Sequence, residues 1–132
     1  MILFYALVSI GTLERILPSV LNSTDKEKLD AARQFIAMSV PSYPDNKQIC
    51  RHTGLNETKL GVGFKHFLGE SPYDYFLHQK MLMAKEMLLS TDESIEMVSI
   101  KLNYWWATGF TREFKKHFGY SPSEFRGNHG RG

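Results

Sequence analysis

Three basic side chains and two hydroxyls share one stretch of helical periodicity near the end of the chain. Phe110, Phe114 and Phe118 recur every four residues and so claim one face of a helix as core. The opposite face then carries Ala107, Thr108, Thr111, Arg112 and Lys115, with Lys116 beside them. A guanidinium can grip the O6 and N7 of a guanine together, and threonines can bond or touch base edges. Lysines further along the helix suit phosphates, which fix register without reading sequence. This is the chemistry of duplex recognition. No glycine-rich phosphate loop, nucleophile elbow or paired carboxylate site offers a competing enzymatic one, so the chain reads as a non-enzyme. Asp74 and His78 are four apart, but His52, His66 and His117 supply no third ligand at a recognisable spacing. No metal or other cofactor is therefore called for.

The elements that must hold these side chains are repeated. Residues 64–75 read FKHFLGESPYDY and residues 114–125 read FKKHFGYSPSEF, with Phe64 and Phe114, Gly69 and Gly119, Ser71 and Ser121, and Pro72 and Pro122 all 50 positions apart. In each copy a helix ends at a glycine suited to a left-handed turn. Serine then caps the next helix and proline opens it. Upstream, Asp45 with Gln48 and Asn56 cap one pair of short helices, and the 91–94 cluster caps another, with Asn103 at the turn where the first copy has Gly54. Each copy is thus a helix-turn-helix, at about 45–69 and 94–119. Core triplets are Ile49, Leu55 and Leu60 in the first, and Val98, Tyr104 and Phe110 in the second. Thr24 with Glu27 reads as a capping box for a preceding helix striped by Leu29, Ala32, Ile36 and Val40. A long helix over about 72–89 joins the two copies, and its 18 residues span roughly 27 Å. That length suits a strut setting two recognition helices about one DNA turn, ~34 Å, apart.

The run Asn103-Tyr104 followed by 110–126, FTREFKKHFGYSPSEFR, resembles the carboxy-terminal signature of the AraC/XylS family of bacterial transcription regulators. The resemblance covers about residues 25–127. A shorter likeness over 54–65 points to the branch that controls siderophore and iron uptake. The resemblance implies an all-α domain of about seven helices, with two helix-turn-helix units in successive major grooves of promoter DNA. It places base reading on Ala107, Thr108, Thr111 and Arg112. RNA polymerase is the further partner it implies. In the first unit, Leu60, Phe64 and Phe67 set the inner face, leaving Thr58, Lys59, Gly61, Val62 and Lys65 outward or sideways. Thr58, Lys59 and Val62 are its candidate base contacts, though Gly61 and Val62 stand where the family often has long polar readers. Asn56, Lys65, Lys115 and Lys116 are candidate phosphate contacts. A second reading keeps the fold and gives up base recognition for protein interaction.

Net charge is +2, but residues 101–132 hold six basic side chains against Glu113 and Glu124. The single cysteine, Cys50, leaves no internal disulfide and fits a reducing, cytoplasmic setting. Its place beside Ile49 reads as core. Met81, Met83, Met87 and Met97 read as core fillers. One of Trp105 and Trp106 is expected to pack, leaving the other free to lie against sugar or base methyls. The wholly apolar run 1–8 is far short of the ~20 residues that span a bilayer, and no membrane partner is expected. Residues 1–24 form an amino-terminal fragment or linker, too short for the effector-binding and dimerisation domain that the family often carries, so an effector would act through a domain not in this sequence. Residues 128–132 read as a flexible tail.

Overall fold

The structure is a computed structural model, described here for residues 21–129. The apolar run 1–8 lies outside those residues. Seven helices and no strand occur among them: α1 Asp25–Ser39, α2 Asp45–Thr53, α3 Glu57–Leu68, α4 Pro72–Ser90, α5 Ile95–Lys101, α6 Ala107–Phe118 and α7 Pro122–His129. They divide into two compact units. One runs up to Ser39 and resumes over Tyr43–Phe76; the other takes Val40–Ser42 and the chain from Leu77 on. The linking helix therefore starts in the first unit and continues in the second. None of these helices is long and apolar enough to cross a membrane.

In the first unit Leu29, Ala32 and Ile36 of α1 are buried as expected, together with Ile49, Leu55, Leu60, Phe64, Tyr75 and Phe76, whereas Val40, the last of the expected stripe, is half-buried beyond the end of α1. The start of α1 departs from the expected Thr24–Glu27 box. Asn22 Oδ1 accepts from the Thr24 N–H at 3.0 Å, and Asp25 Oδ2 accepts from the Asn22 N–H at 2.8 Å. The carboxylate wins because it also reaches a cation: Lys59 Nζ lies 3.0 Å from Asp25 Oδ2. Asp25 is buried, yet its carboxyl is held below the usual carboxylate range, first by the Asn22 N–H and then by Lys59, against the opposing effect of burial. The support it gives is present above the ordinary carboxylate pKa and is lost as pH falls through the depressed one. Asp45 and Asn56 cap as expected, accepting from the N–H of Gln48 at 2.9 Å and of Lys59 at 2.8 Å.

The buried face of α3 is Leu60, Gly63 and Phe64, with Phe67 exposed rather than core. Gly63 is what rotates the stripe. A Cβ there would sit 2.3–2.9 Å from the Leu29 side chain, so α1 can lie this close only against a residue with no side chain. Gly61 has nothing within 4 Å of its Cβ position. The two glycines should therefore answer alanine oppositely. Gly63→Ala should destabilise the protein by ~1–3 kcal/mol through overpacking. Gly61→Ala should stabilise it by up to ~1 kcal/mol through helix propensity. Urea unfolding of the two variants checks both, and equal signs would refute the packing account.

The second unit buries Met81, Ala84, Leu88, Val98, Leu102, Phe110, Phe114 and Phe125. Tyr104, the third member of the expected triplet, is only half-buried, with the Lys80 ammonium 4.2 Å from its ring centre. Met83 and Met97 are exposed rather than core, since the buried faces of their helices are set by Met81, Ala84 and Leu88 and by Val98 and Ser99. Ser94 caps α5, its Oγ accepting from the Met97 N–H at 3.1 Å. Asn103 takes the left-handed turn at φ 67, as its tolerance of that region predicts. The joints between repeats match closely. Gly69 and Gly119 sit at φ 76 and 85, and Ser71 and Ser121 each accept from the N–H three residues on at 3.1 Å. The last helix runs to His129, two residues into the expected tail.

Candidate nucleic-acid interface

Helix α6 presents the expected face. Phe110 and Phe114 are buried, and Phe118 is half-buried. Thr108, Arg112, Lys115 and Lys116 are exposed, and Ala107 and Thr111 are half-buried at the edge. Ala107, Thr108, Thr111, Arg112 and Lys115 together line a shallow open groove, completed by Ile95 and Glu96 of α5 and Ser123 of α7. The four expected base readers and one expected phosphate contact thus share a single concave surface on the second unit.

The basic tail is less uniform than its count. Arg126 is a structural fork: its guanidinium donates to the carbonyls of Leu88 at 3.1 Å, Glu93 at 2.5 Å and Thr91 at 3.2 Å. Lys101 is ion-paired with Glu93. Beside that paired Lys101, Arg112, Lys115 and Lys116 are the exposed cations of that third among the described residues.

On the first unit, Asn56, Thr58 and Lys65 are exposed, while Val62 and Gly61 are half-buried. Lys59 is drawn aside by Asp25, and its side chain is only 26% exposed. That contact holds its ammonium 3.0 Å from the Asp25 carboxylate. Cys50 is half-buried and its thiol is pushed up by burial first and by Glu57 second, the opposite of what a reactive thiolate needs. No cluster of three potential metal ligands occurs among the described residues.

The tryptophans correct the expectation that one of them packs. Trp105 is 92% exposed and Trp106 is 75% exposed. The repeat offset carries the signal. Trp106 falls 50 positions after Asn56, the capping position of α3, which lies outside the core in both copies.

A model of a family described as "Helix-turn-helix domain" matches residues 49–128. Over 128 residues the chain is 30% identical to the arabinose operon regulatory protein of Salmonella typhimurium, covering 91% of this chain and 46% of that protein. An AraC-type DNA-binding-domain regulator from Chromobacterium violaceum superposes with a TM-score of 0.75 at 23% identity, over 82% of this chain and 96% of that one. The DNA-binding domain of AdpA, solved in complex with a target DNA, has the same fold, with a TM-score of 0.67 at 17% identity over 76% and 90%. The chain belongs to the AraC/XylS family of helix-turn-helix regulators. It spans less than half the length of that arabinose regulator and 25–36% of three other curated relatives.

Proposed function

We propose that this chain binds duplex promoter DNA sequence-specifically and controls transcription, reading base edges mainly with α6. The observation that carries this is the outward face of that helix, where Thr108, Thr111 and Arg112 of its amino-terminal half line one open groove, with Lys115 further along. A recognition helix enters the major groove by that half. Arg112 is the principal base reader and Lys115 and Lys116 hold phosphates. The first unit enters an adjacent groove, with α4 as the connection. It adds affinity through Asn56, Lys65 and the α3 amino terminus, and discriminates bases weakly through Thr58 and Val62. Control of RNA polymerase, and any effector, belong to this reading as well.

A single-base scan across a selected site of ~20 base pairs tests it. Penalties of ~1–3 kcal/mol per mismatch should cluster in one half of the site. Arg112→Ala should cost ~1–3 kcal/mol and flatten the preference at one position, whereas Lys115→Ala should weaken all sequences alike. Equal penalties in both halves would mean that the first unit reads as sharply as the second. A uniform loss in Arg112→Ala would make Arg112 a phosphate contact.

A further inference from the structure

We infer that Trp105 and Trp106 are a second, apolar part of the DNA-contacting surface, resting against deoxyribose and thymine methyls beside the bases that α6 reads. The inference rests on the proposed DNA binding and names residues that this reading leaves without a role.

The two repeats provide an internal comparison. Asn56 and Trp106 hold equivalent places before α3 and α6, both in extended backbone, at φ −96, ψ 169 and φ −135, ψ 141. Asn56 caps its helix through its side chain; Trp106 makes no side-chain cap bond. Its carbonyl still accepts from the N–H groups of Gly109 at 3.1 Å and Phe110 at 3.4 Å, so the backbone is that of a cap without the capping side chain. Tryptophan is a poor capping residue. Nor do the indoles find burial, since both stand largely in water. An adjacent pair of exposed indoles is costly surface that marks a contact site. They satisfy neither the helix end nor the core, so their use lies in a partner.

Charge identifies that partner. The indoles immediately precede Ala107 and Thr108, the first residues of the reading face. The exposed charges that follow on the same helix are Arg112, Lys115 and Lys116, while its one acid, Glu113, is half-buried beside His117. The amino-terminal end of the helix adds its own positive potential. An apolar shoulder joined to a cationic face matches the wall of a DNA groove, where sugar and methyl carbon alternate with phosphate. An indole covers that carbon with its ring and can donate its N–H to a phosphate oxygen.

These are the two tryptophans of the chain, so emission excited selectively at tryptophan reports this place alone. The full chain is titrated with a duplex selected from random sequence, and binding is followed separately by the anisotropy of a label on the DNA. Acrylamide quenching of the indoles should fall severalfold in step with the anisotropy. Trp106→Asn, which restores the residue of the first repeat, should leave the thermal midpoint unchanged or raised. It should weaken DNA binding about tenfold at every salt concentration without changing the salt slope. Replacing thymine by uracil beside the contacted bases should weaken the unmodified chain more than Trp106→Asn. The inference is overturned if the indoles stay fully quenchable on saturated DNA, or if Trp106→Asn binds as the unmodified chain does. Protection that grows with protein concentration and needs no DNA would assign the pair to a second copy of the chain and overturn it equally. Absence of any bound duplex would instead fail the proposed function, and the anisotropy shows which has failed.

Discussion

Raising salt from about 50 to about 200 mM should weaken duplex binding by roughly a thousandfold, the loss expected when about six phosphates are neutralised. On logarithmic axes the slope should lie near −5, at about −0.9 per phosphate. Arg112, Lys115, Lys116 and Lys65 are exposed and free of ion pairs among the described residues, and helix amino termini supply the other contacts. Lys59, Lys101 and Arg126 should add little to the slope, because Asp25, Glu93 and three backbone carbonyls hold them. Anisotropy of a labelled duplex across a salt series gives the number. A slope near zero on the tightest-binding duplex would favour a chain that keeps the fold and serves protein interaction instead.

Arg126→Ala should destabilise the second unit by about 3 kcal/mol. The half-buried guanidinium binds three carbonyls across the turn from the end of α4 to the start of α5. A hydrogen bond to a charged group contributes ~1.5–3 kcal/mol, and three that share one fork fall short of their sum. Removing the fork also leaves carbonyls short of partners in the turn that leads into α5. Arg126→Lys should recover less than half of the loss, because an ammonium cannot reproduce a planar fork aimed at three acceptors. Urea unfolding measures the loss, and amide exchange in α5 should rise with it. Unchanged stability together with a salt slope reduced by about one would make Arg126 a phosphate contact and refute the structural role.

Much of this was legible because backbone constraints are local. A glycine followed by Ser-Pro can do little else than end one helix and cap another, and Gly69, Ser71, Gly119 and Ser121 do so. Spacing of Phe110 and Phe114 likewise settled which side of α6 faces out, and with it the candidate readers. What sequence could not show depends on partners distant along the chain. Thr24 has the chemistry of a cap, but Lys59 lies far downstream and favours Asp25. Phe67 fits the periodicity of a buried stripe, yet Leu29 reaches α3 over Gly63 and shifts the stripe by a fraction of a turn. Arg126 has the charge of a phosphate contact, and only folding reveals three carbonyls converging on it. For the tryptophans, hydrophobicity pointed inward while position pointed outward, and position decided.

On the proposed function, the likeness of the two joints beside the unlikeness of the two outward faces makes this a scaffold whose target can be rewritten. The turn angles and cap distances that set the helices are nearly the same in both copies, although one copy presents Thr108, Thr111 and Arg112 and the other Thr58, Gly61 and Val62. At these positions the copies diverge in side chains that support neither joint. Gly61, with open space where a Cβ would stand, is the natural place to install a longer reader. A library varied at Thr58, Gly61 and Val62 could be screened for new operators while every residue that folds the chain stays fixed.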